Sequence, residues 1–349
     1  IGQSTNPPLN ELDPTELEIL SADFRQVLSK TQTIQTILIK DQGDEKYSFQ
    51  RLLIATGGNP IKISDTPEDV IVYRTRADYQ ALRARIDGKT NICIVGGGFV
   101  GSELAAALTK LGKQVTMIFP EIGISGLTFP DELAKFLNVY YRERGVEILN
   151  GHLVQSINKQ REKFQVEYKN SEDSSVHEAA FDEVIVGIGI KPNVELAKEA
   201  GLQVENGVIV NEFLQTNDPN IFAAGDVANF YNLGLEKRVR VEHENNALKM
   251  GATAGQNMSG LMEKYDHFPF FYSDLFDLGY EAIGDINKKL ETYSHWIDPY
   301  KKGTIFYLEE GKIRGLVFWN LWGKIDEGRK LISEGKTYQQ SELADLLSD

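Results

Sequence analysis

A glycine-rich segment between an apolar run and a helical pattern constrains the fold of this chain more than any other feature. The apolar run at 91–95, NICIV, is typical of a strand buried on both faces of a parallel sheet. The pattern FVGSELAAALTKLG predicts a helix that ends at Gly112. An acidic residue, Glu121, follows the next predicted strand, twenty residues beyond the last glycine of the segment. Together these features form the fingerprint of a dinucleotide-binding βαβ unit. The segment itself reads Gly96, Gly97, Gly98, Phe99, Val100 and Gly101.

The spacing of this fingerprint assigns a physical role to each position. Gly96 makes the tight turn, Gly98 lets a pyrophosphate approach the backbone, and Gly101 lets the helix pack on the strand. The helix N-terminus offers free N–H groups to the negative charge. Glu121 is expected to accept hydrogen bonds from the adenosine ribose hydroxyls and to repel a 2′-phosphate, and no arginine occurs in the ten residues after it. We therefore expect NAD rather than NADP, with a purely structural glycine turn as the alternative.

Composition excludes several classes of function. The 349 residues carry 51 acidic and 37 basic side chains, a net charge of −14, so nucleic acids and anionic membrane surfaces are poor partners. No apolar run approaches the roughly 18 residues that a membrane span requires. Cys93 is the only cysteine, which excludes an internal disulfide and a CxxC pair, and the five histidines lack ligand spacing, so no metal is expected.

Alternation of predicted strands and helices indicates an α/β fold with a parallel sheet. The segment YSFQRLLIATGG (47–58) predicts one strand that runs into a glycine turn. A helix is predicted from Asp131 to Arg144 with Asp131 as its N-cap, and another from His243 to Leu261. The segment 220–230 predicts a strand-to-helix transition. The aromatic C-terminal part predicts an antiparallel α+β module.

The order of the motifs resembles that of the flavoprotein reductases that bind two dinucleotides. A small-residue ATGG turn precedes the nucleotide unit, and a strand with Gly187 and Gly189 and then an AAGD turn follow it. In that group the nucleotide domain is inserted into the flavin domain. The resemblance implies two Rossmann-like dinucleotide-binding domains and a C-terminal α+β domain. The expected boundaries are 1–75 with 190–265 for FAD, 76–189 for NAD, and 266–349 for the C-terminal domain.

Longer segments resemble the apoptosis-inducing factor family of mitochondrial FAD- and NADH-binding oxidoreductases. They are GGGFVGSELAAAL, GIKPNVELAK, VEHENNA, SDLFDLGYEAIG and GTIFYLEEGKIRGLVFWNLW. The similarity runs from about Val27 to about Ile332, and its C-terminal part is the most specific. A ferredoxin or rubredoxin reductase is expected to end differently.

The resemblance implies a set of cofactor contacts. The residues that it places against FAD are Val27, Thr56, Arg74, Asp226, His243 and Glu244, with Tyr272 stacking on the flavin in place of the usual tryptophan. Those that it places against NAD are Gly97, Gly98, Phe99, Val100, Glu121, Gly187, Glu242, Glu281 and Asn320.

Three of the residues implied by the resemblance are expected to be catalytic. Phe99 would cover the nicotinamide side of the flavin, Glu103 would lie near flavin N5, and His243 would tune the flavin environment. Simpler explanations stay open: Glu103 also suits the start of a helix on electrostatic grounds, and His243 suits a helix terminus.

The chain departs from the family at its N-terminus. No GxGxxG precedes Leu52, and the lysine that the family pairs with Glu103 has no counterpart here. We therefore expect the N-terminal part of the FAD domain to be incomplete in this sequence.

The sequence thus predicts a FAD-dependent oxidoreductase that transfers hydride from NADH to flavin. The alternative is a redox-sensing scaffold or assembly factor that binds NADH and a protein partner with little catalysis. An electron-transfer reductase serving an iron–sulfur protein is disfavoured, because an acidic surface does not suit an acidic ferredoxin. By resemblance we expect the mitochondrial intermembrane space rather than the cytoplasm, a homodimer on NADH binding, and a partner in respiratory-complex assembly.

Overall fold

A computed structural model describes residues 24–30, 35–39 and 45–346 of the chain, with side chains from 49 to 346. The strands before residue 200 are β1 (Phe24–Lys30), β2 (Gln35–Ile39), β3 (Glu45–Phe49), β4 (Leu52–Ile54), β5 (Gly58–Pro60), β6 (Ile71–Val72), β7 (Asn91–Val95), β8 (Gln114–Phe119), β9 (Val146–Asn150), β10 (His152–Gln160), β11 (Lys163–Asn170), β12 (Val176–Phe181), β13 (Glu183–Val186) and β14 (Ile190–Pro192). The later strands are β15 (Val204–Glu205), β16 (Gly207–Val210), β17 (Ile221–Ala223), β18 (Ala228–Asn232), β19 (Lys237–Val239), β20 (Phe270–Leu275), β21 (Leu278–Gly284), β22 (Glu291–Asp298), β23 (Lys302–Glu309) and β24 (Lys312–Trp319). The helices are α1 (Arg76–Arg85), α2 (Phe99–Lys110), α3 (Asp131–Glu143), α4 (Glu195–Glu199), α5 (Glu244–Met258), α6 (Ile325–Glu334) and α7 (Gln340–Leu343).

A five-stranded parallel sheet of order β6-β13-β7-β8-β9 forms the centre of the nucleotide part. Its central strands are mainly apolar, and Ile92, Cys93 and Ile94 of β7 are almost completely buried. Helices cover one face, and the antiparallel sheet β10-β11-β12 packs against the other. Because all five strands are parallel, their carboxyl ends, and the loops that follow them, meet at one edge.

A second group of strands lies before and after this sheet in the sequence. Strand β17 pairs with β4 in parallel, β14 pairs with β5 antiparallel, and β15-β16-β18-β19 form a mixed sheet. Helix α5 buries Met250 and Ala254 in the core of this group. The nucleotide unit is therefore inserted between β4 and β17, as the motif order predicts.

The C-terminal part is an antiparallel sheet of order β20-β21-β24-β23-β22 with α6 packed on it. Its residues Tyr280, Tyr307 and Trp319 belong to the same core as Leu137 and Tyr141 of α3. The sheet therefore docks firmly on the nucleotide part. Strand β20 also contacts α2, which brings the C-terminal sheet close to the glycine-rich segment.

Three local predictions were wrong. The segment 47–58 contains two strands, since a bend at Gln50 and Arg51 separates β3, which pairs with β2, from β4, which pairs with β17. No α-helix follows Ala224: a single 3₁₀ turn (Gly225–Val227) leads into β18, because Gly225 has φ +76°, outside the α-helical region.

Asp131 is the first residue of α3 and not its N-cap. Pro130 takes the cap position, and the Asp131 carboxylate instead accepts a hydrogen bond from Lys288 Nζ at 3.1 Å. Residues 1–20 of the predicted FAD domain lie outside the described residues. No described helix is long and apolar enough to cross a membrane.

Candidate functional site

The glycine-rich turn brings backbone segments too close together for side chains. Gly96 follows β7 with φ +118°, and a Cβ there would lie 2.3 Å from the carbonyl oxygen of Gly187. A Cβ on Gly101 would lie 2.1 Å from the carbonyl oxygen of Gly96. Neither position accepts a side chain. The geometry therefore matches the tight turn and the close helix packing expected of these two glycines.

The N-terminus of α2 opens onto free space. A Cβ on Gly98, the N-cap residue, would meet no atom within 4 Å. No side chain caps the helix, and its first turn contains no acidic residue. The first N–H groups of a twelve-residue helix are thus available to an anion. This open and uncapped end fits the pyrophosphate of a dinucleotide.

Glu121 lies at the same edge of the sheet. It follows β8, the neighbour of β7, and is partly exposed. Its carbonyl oxygen accepts a hydrogen bond from Gly151 N at 3.2 Å, which fixes the backbone at this point. Among the described residues no donor bonds to its carboxylate. The carboxylate is therefore available to the hydroxyl groups of a ribose.

Phe99 and Val100 begin α2 and face the space beside the turn. They are 36% and 40% exposed, which is high for apolar side chains. The Phe99 ring lies 6.4 Å from the ring of Tyr280, on strand β21. Phe99 therefore stands between the glycine turn and the C-terminal sheet.

Glu103 occupies the next turn of α2 and is held by the C-terminal sheet. Its Oε1 accepts a hydrogen bond of 2.5 Å from Ser273 Oγ on β20. The Glu103 side chain reaches solvent, but protein atoms shield part of its carboxyl group from water. This desolvation raises the pKa of the carboxyl above its ordinary value. The charge of Asp274 adds to this effect, and the bond from Ser273 opposes it.

Thr56 and Asp226 follow the carboxyl ends of the paired strands β4 and β17. Thr56 Oγ1 donates a hydrogen bond of 2.7 Å to the carbonyl of Asn193, whose side-chain nitrogen donates one of 2.8 Å to the carbonyl of Thr56. The Asp226 carboxylate forms an ion pair with Arg74. This arrangement places a hydroxyl, a carboxylate and a guanidinium at one edge.

His243 is the N-cap of α5 and lies beside these groups. Its Nδ1 accepts a hydrogen bond of 3.2 Å from Asn245 N, so this nitrogen carries no proton. Desolvation lowers the pKa of His243, while the charges of Glu244 and Asp226 oppose the shift. The imidazole is therefore kept neutral near pH 7.

Tyr272 provides the open aromatic face of this region. Its ring lies 6.0 Å from that of His243, and the residue is 59% exposed. Glu242 and Glu244 flank His243 and are exposed, with Glu242 paired to Arg240 at 2.7 Å. An exposed tyrosine beside a neutral histidine is a suitable platform for a planar ring.

Glu281 and Asn320 are engaged with the backbone. Glu281 Oε2 accepts a hydrogen bond of 2.7 Å from Gly323 N. Asn320 accepts from Gly279 N at 2.7 Å and donates to the carbonyl of Lys301 at 2.8 Å. Each keeps hydrogen-bonding capacity that these contacts do not use. Their roles as NAD contacts stay predictions.

The remaining predicted residues divide between the site and the undescribed part. Gly187 lies against Gly96, and Gly97 packs over Phe119. Val27 lies in β1 opposite Ile37, and its side chain is outside the described residues. The sequence did not indicate Ser273, Asn193 or Arg240. Each of the three acts through a hydrogen bond or an ion pair. Serine, asparagine and arginine are common on any protein surface, so their presence in the sequence indicates no site.

Comparisons with known proteins agree with this geometry. Residues 13–251 match the family model of pyridine nucleotide-disulphide oxidoreductases. Residues 254–299 and 293–334 match the C-terminal domain model of the mitochondrion-associated apoptosis-inducing factor. The chain belongs to the pyridine nucleotide-disulphide oxidoreductase family.

Curated relatives include apoptosis-inducing factors and ferredoxin reductases. The mitochondrial apoptosis-inducing factor 1 of Dictyostelium discoideum is 34% identical over 316 residues, which is 83% of this chain and 58% of that protein. The ferredoxin–NAD(+) reductase component of the Burkholderia cepacia anthranilate 1,2-dioxygenase system is 33% identical over 302 residues, 85% of this chain and 73% of that protein. This chain covers 51% of the putative Drosophila melanogaster apoptosis-inducing factor 1, so it spans only about half to three-fifths of the apoptosis-inducing factors that it matches.

Solved structures show the same fold. A ferredoxin reductase from Rhodopseudomonas palustris matches with a TM-score of 0.79 and 26% identity over 90% of this chain and 77% of that one. The putidaredoxin reductase in its covalent complex with putidaredoxin gives the same TM-score and identity over 89% and 75%. The predicted fold class is confirmed, and the chain is similar to apoptosis-inducing factors, as the sequence predicts.

The family is one of flavoprotein oxidoreductases whose cofactors are FAD and NAD(H). The uncapped helix start beside Gly98 fits the NAD pyrophosphate. Around Thr56, Asp226 and Tyr272 the site offers hydroxyl, carboxylate and aromatic groups that suit the flavin end of FAD. Among the described residues no group of three or more His, Cys, Asp or Glu side chains could hold a metal ion.

Proposed function

We propose that this chain is a FAD-dependent NADH oxidoreductase that transfers hydride from NADH to flavin. The observation that supports it most is the position of Glu103. This carboxyl belongs to α2, which starts at the glycine turn, and it bonds to Ser273 beside the exposed Tyr272. The nucleotide turn and the aromatic platform are thus tied together by one hydrogen bond.

The residues divide the work of binding between the two cofactors. The N–H groups after Gly98 bind the pyrophosphate of NADH, and Glu121 binds its adenosine ribose. On the other side, Thr56, Arg74 and Asp226 bind FAD. When bound, FAD accepts the hydride that NADH supplies. The protein's part is to hold the two rings in register and to exclude water.

Two side chains control protons at the site. Neutral His243 offers no positive charge to the ring system and keeps Nδ1 as an acceptor. Glu103, whose pKa is raised by desolvation, is the titratable carboxyl group that Ser273 holds on α2 beside the proposed site of the two rings. Phe99 and Tyr272 exclude water from opposite sides. Val27, Glu242, Glu244, Glu281 and Asn320 are proposed as further cofactor contacts.

A visible spectrum of the purified chain, followed by NADH without oxygen, tests this function. We expect flavin absorption that bleaches when NADH is added. A chain that carries flavin and binds NADH, yet keeps its flavin absorption, would contradict the proposal.

The second candidate is a redox-sensing scaffold or assembly factor that binds NADH and a protein partner with little catalysis. The match of residues 254–334 to the apoptosis-inducing factor C-terminal model favours it over a simple electron-transfer reductase. A colourless chain that binds NADH and loses this binding in Glu121→Ala would support the scaffold.

The cellular location, the oligomeric state and the protein partner of this chain are also proposals. The names of the apoptosis-inducing factor relatives support a mitochondrial protein. The intermembrane space, a homodimer on NADH binding and a respiratory-complex assembly partner are proposed from the resemblance alone. Putidaredoxin reductase forms a complex with putidaredoxin, so an iron–sulfur protein is the competing partner. The net charge of −14 disfavours an acidic ferredoxin. Light scattering with and without NADH tests the dimer.

The domain boundaries are proposed as 1–75 with 190–265 for FAD, 76–189 for NAD and 266–349 for the C-terminal domain. The separate cores around Ile94 and Val227 support the first division. Limited proteolysis with mass analysis of the fragments tests them.

A further inference from the structure

Ser273 is a buried residue that makes a short, partly buried hydrogen bond to a carboxyl group of the site. The residue is 3% exposed, and its hydroxyl donates to Glu103 Oε1 at 2.5 Å. The two residues are 170 positions apart and belong to different parts of the fold, β20 and α2. A hydrogen bond donated to a carboxylate favours its charged form and fixes its orientation.

The other groups near Glu103 either raise its pKa, in opposition to Ser273, or carry no charge at neutral pH. Asp274, next to Ser273, places a second negative charge nearby and raises the pKa of Glu103. Tyr280 on β21, Tyr141 on α3 and Tyr73 after β6 lie close enough to Glu103 for its charge to raise the pKa of each of these phenols. Among these groups Ser273 is the one that donates a hydrogen bond to the carboxylate.

Strand β20 couples the hydrogen bond between Ser273 and Glu103 to the open part of the site. Alternate residues of a strand point to opposite faces. On β20 the exposed Tyr272 faces the cleft, and the next residue, Ser273, points inward to Glu103. A change in the position of β20 therefore moves the aromatic ring and the Glu103 donor together.

We propose that Ser273 is a positioning residue, which orients the carboxyl of Glu103 and holds its proton affinity down against the desolvation of the site. The proposal deepens the oxidoreductase function and rests on it for the use made of Glu103. The contact itself belongs to the folded chain and can be tested without cofactors.

The direct test is a ¹³C NMR titration of the whole chain labelled at the glutamate carboxyl carbons. The Glu103 signal is the one that disappears in Glu103→Gln. In Ser273→Ala we expect the pKa of Glu103 to rise by about one pH unit, since a charged group loses one hydrogen bond. Ser273→Thr keeps the hydroxyl and should restore the wild-type titration.

Two further variants distinguish a positioning role of Ser273 from a purely structural role. Ser294→Ala removes a serine from β22 of the same sheet, away from Glu103, and should leave the titration unchanged. If Ser273→Ala does not fold, Ser273→Cys provides a weaker donor of similar size and should shift the pKa in the same direction by less. An unchanged Glu103 titration in the folded Ser273 variant, or an equal shift in Ser294→Ala, would overturn the proposal.

Measurements on the flavin-loaded chain then connect the contact to function. In Ser273→Ala the pH profile of flavin bleaching by NADH should move upward with the Glu103 titration, and Ser273→Thr should move it back. A profile that stays fixed while the NMR titration moves would overturn the link to Glu103. Failure of the wild-type flavin to bleach would instead contradict the proposed function and leave the NMR result intact.

Discussion

Arg74 and Asp226, 152 positions apart in the sequence, form an ion pair at the edge where β4 and β17 end. The pair joins the segment that enters the nucleotide unit to the turn after β17. Both residues belong to the proposed FAD site, and the side chain of Asp226 is only 11% exposed. The ion pair with Arg74 thus holds the Asp226 carboxylate in a fixed position before any cofactor binds.

Asp226→Asn should therefore weaken the retention of FAD. The change removes the charge that pairs with Arg74 and that is proposed to bind a hydroxyl group of FAD, and the loss of a charge-assisted hydrogen bond corresponds to about tenfold weaker binding. The ratio of flavin to protein absorbance after gel filtration measures the effect. Asp298→Asn, on the exposed strand β22 where Asp298 pairs with Lys301, is the matched control and should keep the wild-type ratio.

Glu121→Ala should weaken NADH binding by about tenfold to a hundredfold, because a carboxylate that binds ribose hydroxyls is lost. The same variant should discriminate less against NADPH, since the charge that repels its 2′-phosphate has gone. Titration calorimetry with both nucleotides measures the two constants. Glu132→Ala, on the exposed side of α3, should change neither. Unaltered NADH affinity in Glu121→Ala would remove this residue from the site.

Two glycines of the turn should respond differently to alanine. Gly101→Ala should destabilise the fold by about 1–3 kcal/mol, because its Cβ would overlap the carbonyl oxygen of Gly96. Gly98→Ala has open space around the new Cβ, so its melting temperature should stay near wild type while NADH binding falls. Thermal melts and calorimetry separate the two. Equal NADH affinity in Gly98→Ala and wild type would place the pyrophosphate elsewhere.

Glu103→Gln should stabilise the cofactor-free chain at neutral pH. The folded state raises the pKa of Glu103 above the unfolded value of 4.5, so deprotonation favours unfolding as the pH rises through that value. The gain in melting temperature should appear above pH 4.5, reach a plateau above the folded pKa, and vanish in more acidic solution. A Glu103→Gln variant less stable than wild type at every pH would contradict the desolvation of this carboxyl.

Sequence alone could predict the features that depend on neighbours in the chain. The glycine turn, α2 and Glu121 lie within 31 residues, and their spacing sufficed. The helix predicted after Ala224 does not form, because Gly225 has a positive φ and residues 228–232 then pair with β16 and β19. The residue types at 228–232 do not indicate that this segment pairs with β16 and β19.

Long-range polar contacts were beyond prediction for a similar reason. Ser273 and Gly323 are ordinary residues whose importance comes from what they meet, Glu103 and Glu281 respectively. Asn320 was placed against NAD by resemblance, yet its amide bonds to the backbone at Gly279 and Lys301. Only the folded sheet β20-β21-β24 brings these partners together.

The most direct test of the account is an anaerobic titration of the flavin-loaded chain with NADH. Each hydride carries two electrons, so the account predicts that one equivalent of NADH bleaches one equivalent of flavin and is converted to NAD⁺. The Glu121→Ala variant should need more NADH to reach the same end point. Flavin that stays oxidised while NADH is bound in stoichiometric amount would contradict hydride transfer and leave a nucleotide-binding scaffold as the function of this chain.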